Sequence, residues 1–452
     1  MPATLTQVVK QFQQEWTTQL EPEAILSVCH DIGYEWRERC LDPVTTMQLF
    51  FVQVVNGNTA CTHLRHLTKL NISASAYCQA RTRLPLEVFH RLLRAVGDDL
   101  QREPLEEGRW LGHRTFWAEG SSFSMSDTPE LQDHFGQPGG QQPGCGFPVA
   151  HLMALFHAGT GMVLKMLSAP LRTHDLSQVL RLHPELRPDD VLVTDRGLCS
   201  YAHLALLAQG GVHAVLRMHQ NQLVHFTPGR LHVEPGKRGA KGQKGRPRSR
   251  WVRQLGPQDQ VVYWLKPATC PEWMSPQQYA ELPEHLRLRE LRYRVQPKGF
   301  RVKTITLVTT RVDAERYRVE DLADLFLARW GIETSLGHLK TTMGLDVLKC
   351  KTVNGVLKEL TVFALIYNCI RLVMVQAARR QQVAIERISF IDAMRWLASA
   401  QDDEPLPALV VNPHRPNRYE PRVQKRRPKP YPLMTKPRPE LRKLLANKTH
   451  VG

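Results

Sequence analysis

Three acids in this 452-residue chain have the residue types and settings of a metal-dependent, nuclease-type site. Glu119 lies in FWAEGSS (116–122), which reads as a half-buried strand holding one carboxylate against a glycine. Asp195 closes the apolar run VLVTD, which reads as a buried strand ending on an acid. Glu333 lies in the helical stretch LARWGIETSLGHLK. An acid at the C-terminal end of a buried strand points into the crevice where open α/β sheets bind ligands, and carboxylate oxygens suit hard divalent cations. Each acid taken alone also has an ordinary structural reading. Asp195 can cap the turn at Arg196-Gly197, and Glu333 can pair with Arg329 on its own helix.

The helix carries more information than the strands. Phe326, Arg329, Glu333 and Lys340 follow one another at spacings of 3, 4 and 7, which places all four on one helical face. An acid flanked there by Arg and Lys can ligate a cation while its neighbours hold phosphates. Arg does so with a bidentate fork and Lys as a point charge.

The elements that must position these residues read as follows. Residues 1–105 are helical, with LFFVQVVNG a buried helix ending at Asn56-Gly57. The break at Asn71 followed by SASAYCQARTRL resembles a helix-turn-helix, with Ser75, Tyr77, Gln79, Arg81 and Arg83 available on its second helix. A small helical bundle that only packs is the alternative. From residue 113, RTFWAEGSSFSM, VAHLMALFHAG and MVLKMLSA read as three strands, followed by the helix DLSQVLRLHPEL, the strand VLVTD, the helix AHLALLAQGG and the strand HAVLRMH. That β-β-β-α-β-α-β order predicts an α/β core with a mixed sheet. In RTHDLSQV, Asp175 reads as an N-cap with Gln178 at N3. A polar, β-rich segment follows, and its acid-free loop PGKRGAKGQKGRPRSR offers Lys241, Lys244 and Arg246 to phosphates. TITLVTT resumes the core, a long helical region runs from about 319, and the last forty residues read as an extended, Pro- and Arg-rich basic tail.

Composition narrows the partners. The chain is 42% hydrophobic and 23% charged, an ordinary globular balance, but its net charge is +17. A polyanion, most commonly nucleic acid, is the natural counterpart. No amphipathic basic helix or lipidation motif supports a membrane partner, no 18-residue apolar run occurs, and the N-terminus lacks the apolar core of a signal peptide, so a cytoplasmic location is expected. Nine scattered cysteines without a C-x-x-C pair point to reduced, structural thiols, and Cys61, His63 and His66 do not share a helical face as zinc ligands would. Ser121 and Ser122 lack a His partner, and the Gly-Pro loop at 135–148 lacks phosphate-loop order.

These motifs together resemble the DDE transposases of the insertion-sequence-4 family. That family carries its third acid in a helical Tyr-x2-Arg-x3-Glu-x6-Lys signature, matched by Phe326, Arg329, Glu333 and Lys340. Its second acid opens Asp-Arg-Gly, matched by Asp195-Arg196-Gly197. Its first lies in Asp-Gly-(Ser/Thr) followed by Ser-Met-x-Asp-Thr-Pro, matched by Glu119-Gly120-Ser121 and SMSDTP.

The resemblance implies a ribonuclease-H-like mixed-sheet core over 111–220 and 300–380, an N-terminal helical domain at 1–110 that reads DNA ends, a β-rich basic insertion at 221–299, and a C-terminal helix and tail at 381–452. It implies Glu119, Asp195 and Glu333 as catalytic ligands of two Mg²⁺ or Mn²⁺ ions, with Arg329, Lys340, Phe326, Arg196, Lys241, Lys244 and Arg246 toward DNA. It also implies double-stranded DNA as partner and a homodimer in the DNA complex. Two residues depart from the pattern: Phe326 replaces Tyr, and Glu119 replaces Asp. The extra methylene moves a carboxylate by on the order of 1 Å, a displacement that can cost ~10²-fold in rate. Three readings therefore stand: an active transposase, a catalytically impaired, transposase-derived DNA-binding protein, or a nuclease without strand transfer.

Overall fold

The computed structural model describes residues 15–68, 70–102, 109–230, 246–295, 303–400, 404–413 and 434–448. It opens with five helices: α1 (Pro22–Asp31), α2 (Pro43–Val55), α3 (Leu64–Thr68), α4 (Ala74–Arg83) and α5 (Leu86–Arg102). The start of α2 is set by Asp42, whose carboxylate accepts from the Thr45 amide at 2.6 Å, and by Pro43 in the first turn. It ends at Asn56, where the sequence placed its stop. The apolar stripe Val88, Phe89, Leu92, Val96 and Leu100 of α5 is fully or almost fully buried.

Strands β1 (Thr115–Met125), β2 (Val149–His157) and β3 (Val163–Pro170) follow, with α6 (Pro129–Phe135) between the first two. After them come α7 (Asp175–Val179), β4 (Val191–Thr194), α8 (Tyr201–Gln209) and β5 (His213–Arg217). The expected succession of strands and helices is therefore present, with α6 added where Thr128 caps and Pro129 opens a helix. The next elements are β6 (Arg248–Gly256), β7 (Asp259–Leu265), α9 (Pro276–Ala280), β8 (His285–Val295) and β9 (Lys303–Thr309). The chain closes with α10 (Val319–Ala328), α11 (Trp330–Gly337), β10 (Val347–Leu348), α12 (Val353–Gln381), α13 (Phe390–Ser399) and α14 (Arg438–Lys448).

The ten described strands form one sheet in the order β3-β2-β1-β4-β5-β9-β8-β7-β6, with β10 beside the end of β1. Strands β1, β2 and β3 are antiparallel, whereas β4 runs parallel to β1 and β5 parallel to β4. This is the mixed sheet expected of a ribonuclease-H-like core. The β-rich segment extends that sheet outward through the β8–β9 pair. Alternation along β1 sends Phe116 and Ala118 to a core shared with α7 and α8, and Trp117 to the opposite core shared with α10, α11 and α12. Glu119, two residues beyond Trp117, faces the α11 side.

Helix α12 is the one described helix long and apolar enough to cross a membrane, and 94% of its most apolar window is buried inside the protein. It is the central core helix.

Three expectations need correction. The helix carrying the Arg-Glu-Lys signature is not continuous: it breaks at Arg329, and residues 338–342 adopt a wider π turn. On α4, Tyr77 is fully buried and donates to Gln53 at 3.0 Å, while Arg81 donates to the same Gln53 at 3.1 Å and lies over Phe50. Only Ser75, Gln79 and Arg83 of the expected reading face remain exposed. The C-terminal segment is not uniformly extended, since helix-forming residues after Pro439 build α14.

Candidate active site

Backbone register brings the first two acids together. In the parallel β1–β4 pair, Trp117 lies opposite Val193. Two residues further along each strand come Glu119 and Asp195, side by side where β4 ends and the chain leaves the sheet. Helix α11 then crosses over β1 and adds Glu333. Its approach depends on Gly331: a methyl group there would stand 3.0 Å from the Trp117 ring, closer than van der Waals contact permits. The three carboxylates line one open cleft of about 390 Å³, together with Gly120, Arg329, Lys340 and Asp346.

Arg329, at the break between α10 and α11, is 4% exposed. It donates to Glu119 Oε2 at 2.8 Å and lies 3.7 Å from Glu333 Oε1. Its guanidinium rests on the Phe326 ring, 5.3 Å from the centroid, and its buried Nε has no hydrogen-bond partner. Phe326 is itself 2% exposed. The expected phosphate contact by Phe326 is therefore corrected: the ring is core and forms the platform beneath Arg329. Lys340 Nζ donates to Ser121 Oγ at 3.1 Å and pairs with Asp346 at 3.3 Å. Both contacts follow from the π turn and from β10, which returns the chain beside β1 at Ser124 and Met125.

Charge crowding shows in the protonation of Glu119. Burial, with the charges of Asp195, Glu333 and Asp175, pushes its carboxyl up to about 7, against the opposing pull of Arg329. A divalent cation is the natural relief for such crowding, and three carboxylates are the right donors for one. The donor chemistry fits Mg²⁺ or Mn²⁺. Among the described residues, however, no three His, Cys, Asp or Glu side chains stand close enough together to enclose an ion. The Arg329 guanidinium lies between Glu119 and Glu333 and compensates their charge.

Of the remaining residues read toward DNA, Arg196 is exposed beside Asp195 and donates to Gln220 at 2.9 Å. Arg246 is half-buried and points inward, donating to the Cys199 carbonyl at 3.4 Å. Lys241 and Lys244 lie outside the described residues. Sequence reasoning missed Arg217, whose guanidinium lies 3.5 Å from Asp195. Its signal was available, since it ends β5 at the same edge as Asp195. Asp175 was also misread. His174 takes the N-cap position, accepting from the Leu176 amide at 3.1 Å, which frees the Asp175 carboxylate to pair with His151 at 2.9 Å.

The strand order β3-β2-β1-β4-β5, with β4 and β5 parallel to β1, is that of a ribonuclease-H-like core. Residues 110–369 match the family model described as the transposase DDE domain, and the chain belongs to that family. Over 390 residues it is 24% identical to the transposase InsG for insertion sequence element IS4 of Escherichia coli (strain K12), covering 81% of this chain and 79% of that protein. The insertion-sequence-4 resemblance of its motifs is thereby upheld, and the chain is a transposase of insertion-sequence type. A solved structure, the cryo-EM structure of a piggyBac transposase synaptic complex with hairpin DNA, aligns with a TM-score of 0.44 at 11% identity, covering 85% of this chain and 78% of that one.

Proposed function

We propose that this protein binds the terminal inverted repeats of its element, hydrolyses a phosphodiester at each end and joins the freed 3′-hydroxyls to target DNA. The observation that carries this reading is the convergence of Glu119, Asp195 and Glu333 on one open cleft walled by Arg329 and Lys340. Glu119, Asp195 and Glu333 would hold two divalent cations. Bound there, the ions supply activation of the attacking hydroxyl and charge stabilisation of the leaving oxygen.

The chain's own groups do the rest. Lys340, tethered to Ser121, presents a point charge to a phosphate at the mouth of the cleft. Arg329 can exchange a carboxylate for a phosphate oxygen without moving far, because Phe326 supports its plane. Arg217 and Arg196 extend the cationic rim beside Asp195. The exposed Ser75, Gln79 and Arg83 of α4 are the side chains offered to the DNA ends. The net charge of +17 supports salt-sensitive backbone affinity, and joining two ends calls for a homodimer on DNA.

A second reading has a specific observation in its favour. Glu119 is long enough to be captured by Arg329 at 2.8 Å, and an Asp there would reach less far. On that reading the protein binds ends but cleaves them poorly. The experiment is cleavage of end-containing DNA with Mg²⁺ and with Mn²⁺ by the native protein, Glu119→Asp and Asp195→Ala. Cleavage and joining by the native protein but not by Asp195→Ala support the transposase reading. Cleavage by Glu119→Asp alone supports the impaired one, and cleavage by none of them defeats the assignment of the cleft.

A further inference from the structure

Asp175 stands on the other face of the sheet, behind the cleft that Glu119, Asp195, Glu333 and Asp346 line. Asp175, at the start of α7, lies 2.9 Å through Oδ1 from Nε2 of His151 on β2. Its Oδ2 is directed at the gap between Gly120 and Gly197. A methyl group on Gly120 would stand 3.8 Å from Oδ2 and 3.1 Å from the His151 ring nitrogen, and one on Gly197 would stand 3.9 Å from Oδ2. Those glycines directly follow Glu119 and come two residues after Asp195. Where each ligand strand passes Asp175, the intervening side chain is therefore missing. Neither glycine needs a positive φ, so backbone freedom does not explain them.

His151 adds an independent observation. It is 8% exposed, and its Nδ1 is buried with no hydrogen-bond partner. An imidazole with one nitrogen unsatisfied is costly to bury, and such groups call for an explanation. Here the ring serves one contact, the clamp on Asp175. The hydrogen bond from His151 holds the Asp175 carboxyl below the usual carboxylate range, and its charge reaches far enough to raise that of Glu119.

We propose that Asp175, fixed by His151, is a further carboxylate of the cation centre, one whose charge would support the hold of Glu119 and Asp195 on a divalent ion. This rests on the transposase reading of the cleft. Asp175 is then a positioning residue, and outer groups of this kind contribute about 10–100-fold to metal affinity or rate.

The test compares the native chain, Asp175→Asn, Asp175→Glu and His151→Gln, each also in a Glu119→Asp background so that weak native cleavage does not hide the effect. Mn²⁺ affinity of the complex with end DNA, single-turnover cleavage, DNA affinity and metal-free thermal stability are measured. Asp175→Asn is expected to weaken Mn²⁺ binding about tenfold and slow cleavage ~10–100-fold. DNA affinity stays equal or tightens, because a negative charge has been removed. His151→Gln moves the same readouts less, and Asp175→Glu restores part of the loss. Unchanged Mn²⁺ affinity and rate in Asp175→Asn, or losses that track a fall in thermal stability alone, overturn the proposal and leave the transposase reading standing. Failure of every chain, native included, to bind Mn²⁺ or cleave removes both.

Discussion

Two buried arginines in this molecule hold carboxylates, and they do so to different ends. Arg289 on β8 is fully buried and grips Asp259 with two hydrogen bonds, at 2.8 and 2.6 Å, while donating to the Tyr317 carbonyl at 2.5 Å. Each of its nitrogens is satisfied. Arg329 is almost as buried, yet it makes one short bond to Glu119, stands off from Glu333 and leaves Nε without a partner. Asp259 has one neighbour to satisfy it; Glu119 has three further acids working against its charge. The first pair is a structural joint. The second leaves bonding capacity unused, and on the proposed function a cation or phosphate would take the place of the Arg329–Glu119 bond.

The sharpest test of that contrast removes a carboxylate from the cleft. Asp195→Ala or Glu333→Ala is expected to lower end cleavage by roughly 10³-fold or more, the scale of several kcal/mol of transition-state charge stabilisation lost with a metal ligand. Folding and DNA retention should persist. Parallel gel-shift and cleavage assays check this, and loss of both together would collapse the distinction between site and scaffold.

The next test sets the two arginines against each other. Arg289→Met leaves Asp259 charged and buried without a partner and should destabilise the fold by about 3–5 kcal/mol. Arg329→Met should cost only about 1–2 kcal/mol, because Glu119 can take up a proton at neutral pH and the lost contact is mainly packing on Phe326. Urea unfolding at pH 7 measures both. Equal costs would mean that Arg329 is as structural as Arg289.

What the sequence let one read of this arrangement was whatever depends on local spacing. Asp195 at a strand end and the strand over FWAEGSS survive in three dimensions, because strand termini are short-range signals, although β1 is buried on both faces at Phe116, Trp117 and Ala118 rather than on one. The proximity of Glu119 to Arg329, 210 residues apart, is a tertiary fact and has no local signature. The same holds for His151 and Asp175, where a cap reading was chemically sound but His174 won the position. A continuous helical face was expected through Lys340. The helix is instead interrupted at Arg329, just before Trp330-Gly331. Conversely, Phe326 and Tyr77 were read as functional from their positions in motifs, when burial had claimed their rings.

Gly331 supplies a smaller perturbation. Gly331→Ala places a methyl group 3.0 Å from the Trp117 ring and should cost about 1–3 kcal/mol through overpacking, despite alanine's better helix propensity. Because Glu333 rides on the same helix, cleavage should fall more than stability alone accounts for. A Trp117→Phe partner change that restores room should recover both, and recovery of stability without activity would detach the helix seat from the chemistry.

The smallest effect discriminates most finely. Glu119 titrates near 7 in the folded chain, above the ordinary 4.5. Below about 4.5 it is protonated in both folded and unfolded states, and its environment costs nothing. As pH rises from 4.5 to 7 the unfolded chain releases this proton while the folded protein keeps it, so stability falls with pH across that window and levels off above it. Glu119→Gln mimics the protonated side chain and can still accept from Arg329. It should therefore match the native protein at pH 4.5 and exceed its melting temperature at pH 8 by roughly 2 °C, about 1 kcal/mol for a chain of this size. Mn²⁺ should invert the order at pH 8, stabilising the native protein and leaving Glu119→Gln behind. A native advantage at pH 8 without metal would mean that Arg329 fully compensates Glu119, and the pair would then belong with Arg289 and Asp259.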